Sequence, residues 1–344
     1  MTIKKIGFVL TLLGLCLPTL TQAMDCAVMP YIQYSALVSS VSHNAQRQPH
    51  ALSYLHTEGT LPNAPHYHDY IESRFDLTLM HHAALAWTLG IQPKATLAMA
   101  KAYILTWVDT YQPSYNPIDE SSFALLIDSY GMLRQQFTVS EKQHIDEYLN
   151  RWAQGYIERM AKSSVKGTWI NNWNSYRVEL VTMIAFVLQD PQLILQAKSH
   201  YQQQIEHNID AQGITIDYKN RDAIHYVTYD LQPLLVSAYI AQRYGQNWYD
   251  WQALNGASLK KAIQWAEPYT SGKIHHQEFA QTQVKFDQQR AAYGLANYSG
   301  MYNPKESTNY YWQLSLIQPQ ALTQAQQLSV YAPFNLVYGC YGRS

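Results

Sequence analysis

Charge is scarce in this chain: Asp, Glu, Lys and Arg make up 14% of its 344 residues, with 24 basic and 25 acidic side chains. A chain without a basic excess does not read as a general nucleic-acid binder. It can still meet an anionic sugar polymer through a local cluster of Arg and His. Cysteine is scarcer, with three residues and no paired Cys-x-x-Cys, which excludes a thiol-rich zinc site. There is no His-Glu-x-x-His, no Gly-x-Ser-x-Gly elbow and no Gly-rich phosphate loop. His66, His68 and Asp69 form the only metal-like spacing, and a His-x-His on a loop is a weak signal. Acid–base side chains remain, so neither a metal nor a cofactor is expected.

Long apolar runs are confined to the N-terminus. Lys4 and Lys5 precede the apolar stretch Ile6 to Leu20, and Thr21-Gln22-Ala23 offers a small-residue cleavage site. Residues 1–23 therefore read as a signal peptide, and 24–344 as a single exported domain, periplasmic or secreted. No later run reaches about 18 apolar residues, so no second anchor is expected. Removing the signal lowers the basic count to 22 against 25 acids, a net charge of −3. It also leaves two cysteines, Cys26 and Cys340, near the two ends. In an exported protein such a pair is most simply a disulfide, and in the chain-entropy model so long a loop contributes about 5 kcal/mol. A monomer is expected.

What the chain has in place of charge is helix. Apolar residues recur at three- and four-residue spacings over 71–89, 94–110, 119–133, 140–160, 176–188, 193–209 and 229–244. Shorter helices are expected over 259–265, 309–316 and 322–331. Gly213 to Asp217 reads as a short extended piece, and Pro233 as an early-turn proline of its helix. Helix pairs recur roughly every 40 to 50 residues with almost no strand pattern, which suggests hairpins stacked side by side. The expected fold is all-α, an incomplete ring of antiparallel helix hairpins around a central cleft.

Two polar clusters stand at the mouths of buried helices. Trp169 to Arg177 packs three amides, two indoles, a phenol, a hydroxyl and a guanidinium before an apolar run. It reads either as an N-capped helix start, with Asn172 or Asn174 as the cap, or as a site. Tyr218 to Tyr229 brings Arg221, His225, Tyr226 and Tyr229 together before a second buried helix. Asn, Arg, His and Tyr suit elimination beside a carboxylate. In a 4-linked uronic acid polymer the C5 proton leaves and the O4 substituent is expelled. Donors on the carboxylate stabilise the charge that develops. A tyrosine whose pKa is lowered by nearby cations can take the proton, and its phenol can protonate the leaving oxygen.

At these residues the chain resembles the alginate lyase family, polysaccharide lyases with an α/α toroid fold. Asn171-Asn172-Trp173-Asn174-Ser175-Tyr176 is similar to the family's Asn-Asn signature, and Ala223 to Leu234 to the segment carrying its tyrosine. Asn116 to Glu120, Asp128-Ser129-Tyr130 and Val284 to Ala291 look like further family stretches. The resemblance implies Tyr229 as acid/base, with Asn172 on the substrate carboxylate and His225 beside them. Asn171, Tyr176, Arg177, Arg221, Tyr226, Arg290, His66 and His68 complete the expected substrate contacts. Two positions depart from the pattern. Tyr176 stands where the family has His, and Asp222 where it has Arg, with Arg221 next to it. Two other readings stay open. A glycoside hydrolase would need paired carboxylates about 5 to 9.5 Å apart, drawn from Asp69, Asp119, Glu120, Asp222 and Asp230. A non-catalytic glycan-binding relative would explain the departures.

Overall fold

A computed structural model describes residues 31–60, 63–295 and 297–341. The signal segment and Cys26 lie outside the described residues, so the Cys26–Cys340 pairing stays an expectation. Helix α1 (Tyr34–His43) leads into α2 (Tyr67–Thr88), α3 (Pro93–Thr110) and the short α4 (Pro117–Glu120). Then come α5 (Ala124–Leu133), α6 (Val139–Ala161), α7 (Asn172–Leu188) and α8 (Pro191–Asn208). After α9 (Ile216–Arg221) follow α10 (Ile224–Arg243), α11 (Leu259–Thr270), α12 (Lys285–Ala292), α13 (Thr308–Ser315) and α14 (Leu322–Leu328). Two isolated bridges, Ile209 with Thr215 and Gln277 with Met301, are the strand-like pairings among the described residues.

The helices form two layers. α2, α5, α7, α10 and α13 pack side by side in that order, with α3 behind α2, α6 and α8 behind α7, α11 behind α10 and α14 behind α13. Sequence sets which layer each joins. α5 and α7 are buried almost all round, as the apolar runs Ala124–Ile127 and Val178–Val187 require. α6 buries one stripe, Ile145, Leu149, Trp152, Tyr156 and Met160, and leaves its charged face to water. It starts at a capping box in which Thr138 and Glu141 satisfy each other's backbone N–H. This is the expected incomplete ring of helix hairpins.

The chain's last described residues hold the ring together. Asp128 on α5 accepts hydrogen bonds from the backbone N–H of Tyr338 and of Gly339, both at 2.9 Å. The same carboxylate meets His81 Nε2 of α2 at 2.8 Å, and His81 Nδ1 meets the Phe334 carbonyl at 2.9 Å. Tyr239 on α10 donates to the Tyr338 carbonyl. Tyr341 fits against Gly131, where any Cβ would stand 2.2 Å from its ring.

Four local expectations need correction. The helix expected over 119–133 is broken into α4, a tight turn and α5. Glu120 is drawn into a nest of donors: the Tyr111, Tyr156 and Trp152 side chains and the backbone N–H of Ser114 and Tyr115. Of the extended piece over 213–217, Thr215 alone pairs, in the bridge to Ile209; Gly213 is a bend and α9 begins at Ile216. Gly213 takes φ +93° there, and a side chain would meet the Lys261 carbonyl at 2.5 Å. The helix expected over 229–244 begins at Ile224, so the cluster from Tyr218 to Tyr229 is the end of α9 and the start of α10. Pro233 consequently lies inside α10, not in its early turns. With no N–H on Pro233, the Tyr229 carbonyl four residues back loses its helical donor.

Candidate active site

The two polar clusters meet at the N-terminal ends of α7 and α10, which pack along each other. Asn171 is the N-cap of α7, its Oδ1 accepting from the Trp173 N–H at 3.1 Å. Cap and site are thus neighbouring residues, and the cap is neither Asn172 nor Asn174. Asn174 instead donates to Gln204. Asn172 is the first helical residue and is buried. Its backbone N–H and Nδ2 both donate to Asp217 of α9, at 2.7 and 2.6 Å. Arg221, one turn further along α9, approaches Asp217 at 3.5 Å, pairs with Asp287 and lies 3.9 Å from the Tyr226 ring. Asp217 thereby fixes an amide and a guanidinium against the same cleft wall.

α10 has no cap of its own, because Ala223 offers no side-chain acceptor. Glu278, far along the chain, takes the N–H of Ile224 and of His225 at 2.8 and 3.0 Å. Burial still pushes its carboxyl up to about 7. The His225 ring bonds Glu306 at 3.1 Å and stacks nearly parallel to the Tyr229 ring, 6.5 Å between centroids. The Tyr176 ring lies 4.8 Å from that of Tyr229, tilted by 51°. Burial dominates both phenols. It pushes Tyr229 up to about 12, although a hydrogen bond from Tyr176 and the charge of Arg74 act in the opposite direction. Tyr176 is raised further still, again by burial. The sequence expectation of a tyrosine lowered by cations is therefore reversed, since desolvation outweighs the nearby charge.

The cleft has two halves. The narrower, about 490 Å³, is lined by Glu58, Asn172, Trp173, Arg221, His225 and Tyr226, with Phe286 along its wall. The wider, about 520 Å³, is lined by Tyr70, Arg74, Tyr176, Glu179, Gln232 and Gln313 among others. Ile118, Tyr229, Arg290 and Tyr298 line both. Arg290 donates to the Tyr226 phenol at 2.8 Å and stands over the Phe286 and Tyr298 rings. No carboxylate within 4 Å pairs with it or with Arg74 among the described residues, whereas Arg221 has two such neighbours.

Seven of the eleven residues expected at the site line this cleft: Asn172, Tyr176, Arg221, His225, Tyr226, Tyr229 and Arg290. Four do not. Asn171 is spent on the helix cap. Arg177 turns away to the Thr168 carbonyl and the Trp169 ring, where burial lowers it to about 10. His66 and His68 are exposed at the start of α2. Asp222 takes φ +51° and points to the 276–281 loop, meeting the Gln281 N–H, so Arg221 faces the cleft in its place. None of Asp69, Asp119, Glu120, Asp222 and Asp230 lines the cleft. Asp119 and Asp230 are instead consumed by loop N–H groups and by Ser175 and Asn208. No group of three or more His, Cys, Asp and Glu among the described residues could hold a metal ion.

Sequence reasoning missed Asp217, Glu179, Tyr70, Arg74 and Tyr298. For Glu179 a signal existed, a lone acid inside the run Val178 to Leu188. Tyr70 and Arg74 share an i,i+4 face of α2 and are hydrogen-bonded at 2.6 Å.

The fold has known relatives. An alginate lyase from Bacteroides ovatus superposes with a TM-score of 0.62 at 15% identity, over 90% of this chain and 92% of that one. Alginate lyase A1-III from Sphingomonas species A1 gives a TM-score of 0.53 at 17% identity, over 81% and 93%. A tyrosine-to-phenylalanine variant of alginate lyase A1-III, complexed with tetrasaccharide, gives 0.50 at 16% identity, over 72% and 78%. No curated protein matches in sequence. The family described as Alginate lyase matches residues 32–276. With that match spanning most of the sequence, the chain belongs to the alginate lyase family.

Proposed function

We propose that this polysaccharide lyase cleaves a 4-linked, uronate-containing polymer such as alginate by β-elimination, with Tyr229 as the acid/base. The observation that carries the reading is the position of Tyr229, a phenol lining both halves of the cleft with the His225 and Tyr176 rings against it. The sugar whose C5 proton is removed sits in the narrower half. Its carboxylate lies against the free donor capacity of Asn172 and the guanidinium of Arg290, which has no competing carboxylate. Arg221 adds less, because Asp217 and Asp287 already neutralise it. His225, held by Glu306 through its Nδ1, stands beside the same group.

The bonds balance simply. Tyr229 oxygen takes the C5 proton as the C5 electron pair forms the C4–C5 double bond and the C4–O4 bond breaks. The phenol then returns a proton to O4. Donors fixed on the carboxylate stabilise the enolate-like charge at the moment it forms. Because the phenol must be ionised to take the proton and burial holds it high, kcat rises with pH. Tyr176, its ring 4.8 Å from that of Tyr229, supports Tyr229 through its hydrogen bond.

The reading also takes the protein to the periplasm or beyond the cell, cleaved after Ala23 and closed by a Cys26–Cys340 disulfide. The direct test is ultraviolet absorbance of the new double bond on incubation with alginate, pectate and glycosaminoglycans. A rise with at least one uronate polymer is expected. Silence with all three overturns the proposal, and reducing ends released without absorbance point to hydrolysis instead.

A further inference from the structure

Glu179 lies one turn beyond Tyr176 on α7 and is 4% exposed. It lines the wider half of the cleft, yet its buried Oε2 has no hydrogen-bond partner. The other buried carboxylates among the described residues are different. Asp128, Asp230 and Glu278, for example, each accept at least two hydrogen bonds. An acid buried without a partner destabilises a fold and returns nothing to it, so its partner is to be sought in what enters the cleft.

We propose that Glu179 is a substrate-binding residue of the wider half of the cleft, donating a hydrogen bond to the carboxylate of the uronate unit seated there. The inference rests on the lyase reading and extends it to the sugar on the far side of Tyr229. Burial pushes the Glu179 carboxyl up to about 8, so at neutral pH it is an acid with a proton to give. Of the titratable groups sharing this hollow, Tyr176 comes from its own helix, Tyr70 and Arg74 from α2, Tyr229 from α10, Arg290 from α12 and Tyr298 from a loop. α5 and α13 bring none. Arg74, which lines this half alone, supplies the opposite charge that a bound carboxylate needs. Once ionised, Glu179 would place a second negative charge beside that carboxylate and weaken binding.

KM and kcat of wild type, Glu179→Gln and Glu179→Ala, measured on a uronate tetrasaccharide between pH 6 and 9.5, test the proposal. Wild-type KM is expected to rise as pH passes about 8, the ionisation of Glu179. Glu179→Gln keeps a donor and cannot ionise, so its KM stays flat over that range. Glu179→Ala raises KM about tenfold at pH 7, the equivalent of one lost hydrogen bond. A Gln variant whose KM follows the wild-type profile, together with an unchanged KM in the Ala variant, overturns the inference while leaving the lyase reading intact. A wild type inactive on every uronate substrate removes both. Thermal unfolding of each variant separates a binding effect from misfolding.

Discussion

Asp217→Asn is the sharpest test of how the cleft is built. Asp217 touches no substrate in this reading; it holds Asn172 by two short bonds and steadies Arg221. An asparagine of the same shape offers one acceptor oxygen and one NH2 group. If the oxygen keeps the Asn172 side chain, the NH2 faces the Asn172 backbone N–H, donor against donor. Losing a hydrogen bond to a charged acceptor costs about 1.5–3 kcal/mol, and an unpaired buried donor about 1–3 more. Part of that is offset, because burial already opposes the Asp217 charge and the neutral side chain escapes it. A net loss of about 2 kcal/mol is expected, lowering Tm by about 4 °C or less for a chain of this size. The functional effect is larger. An Asn172 displaced by about 1 Å no longer meets the developing charge, and kcat falls about 100-fold. Steady-state kinetics on whichever uronate polymer the wild type cleaves, beside circular dichroism melts, check both numbers. A folded variant with kcat within twofold of wild type would refute the claim that Asp217 positions the carboxylate contact.

Other perturbations read different parts of the molecule. Tyr229→Phe keeps the ring packing and removes the acid/base, so kcat should drop by about 10²–10⁴-fold with Tm nearly unchanged; undiminished turnover would move the proton chemistry elsewhere. Asp128→Ala strands His81 and the N–H groups of Tyr338 and Gly339 in the interior, with a cost of about 3–5 kcal/mol measurable by chemical denaturation. Glu179 has its pKa raised on folding, so wild-type stability is fullest below the ordinary value of 4.5 and declines as pH rises towards about 8. The Tm advantage of Glu179→Gln over wild type should therefore widen across that window, and a constant difference would argue against a buried acid. Alkylation of the mature protein before and after reduction, read by mass spectrometry, should show Cys26 and Cys340 protected only in the oxidised form.

The ring was legible because helix period and punctuation are local. Val178 to Leu188 could only be a buried helix, and Pro93 and Pro191 could only open one. The site was half legible. Asn172, Arg221, His225 and Tyr229 announce themselves as polar residues before apolar runs. Asp217 was hidden because its role is set by Asn172, 45 residues away in sequence and paired only when α7 and α9 meet. Arg177 misled for the converse reason. It sits in the richest cluster, but its helical position turns it about a third of a circle from Tyr176, towards Trp169. The acids at 119 and 120 looked like helix-start residues available for chemistry, and long-range donors claim both.

The clasp at Asp128 bears on the order in which the chain becomes native. Helices α2, α5 and α10 are complete by residue 243, but the strand of backbone that ties them is residues 334–341. The contacts that His81 and Asp128 make to it span more than 200 residues of sequence, among the most non-local that this chain can make. A growing polypeptide can pair its hairpins as they emerge. It cannot lock the ring until this stretch arrives, so the cleft closes only after every described helix has been made.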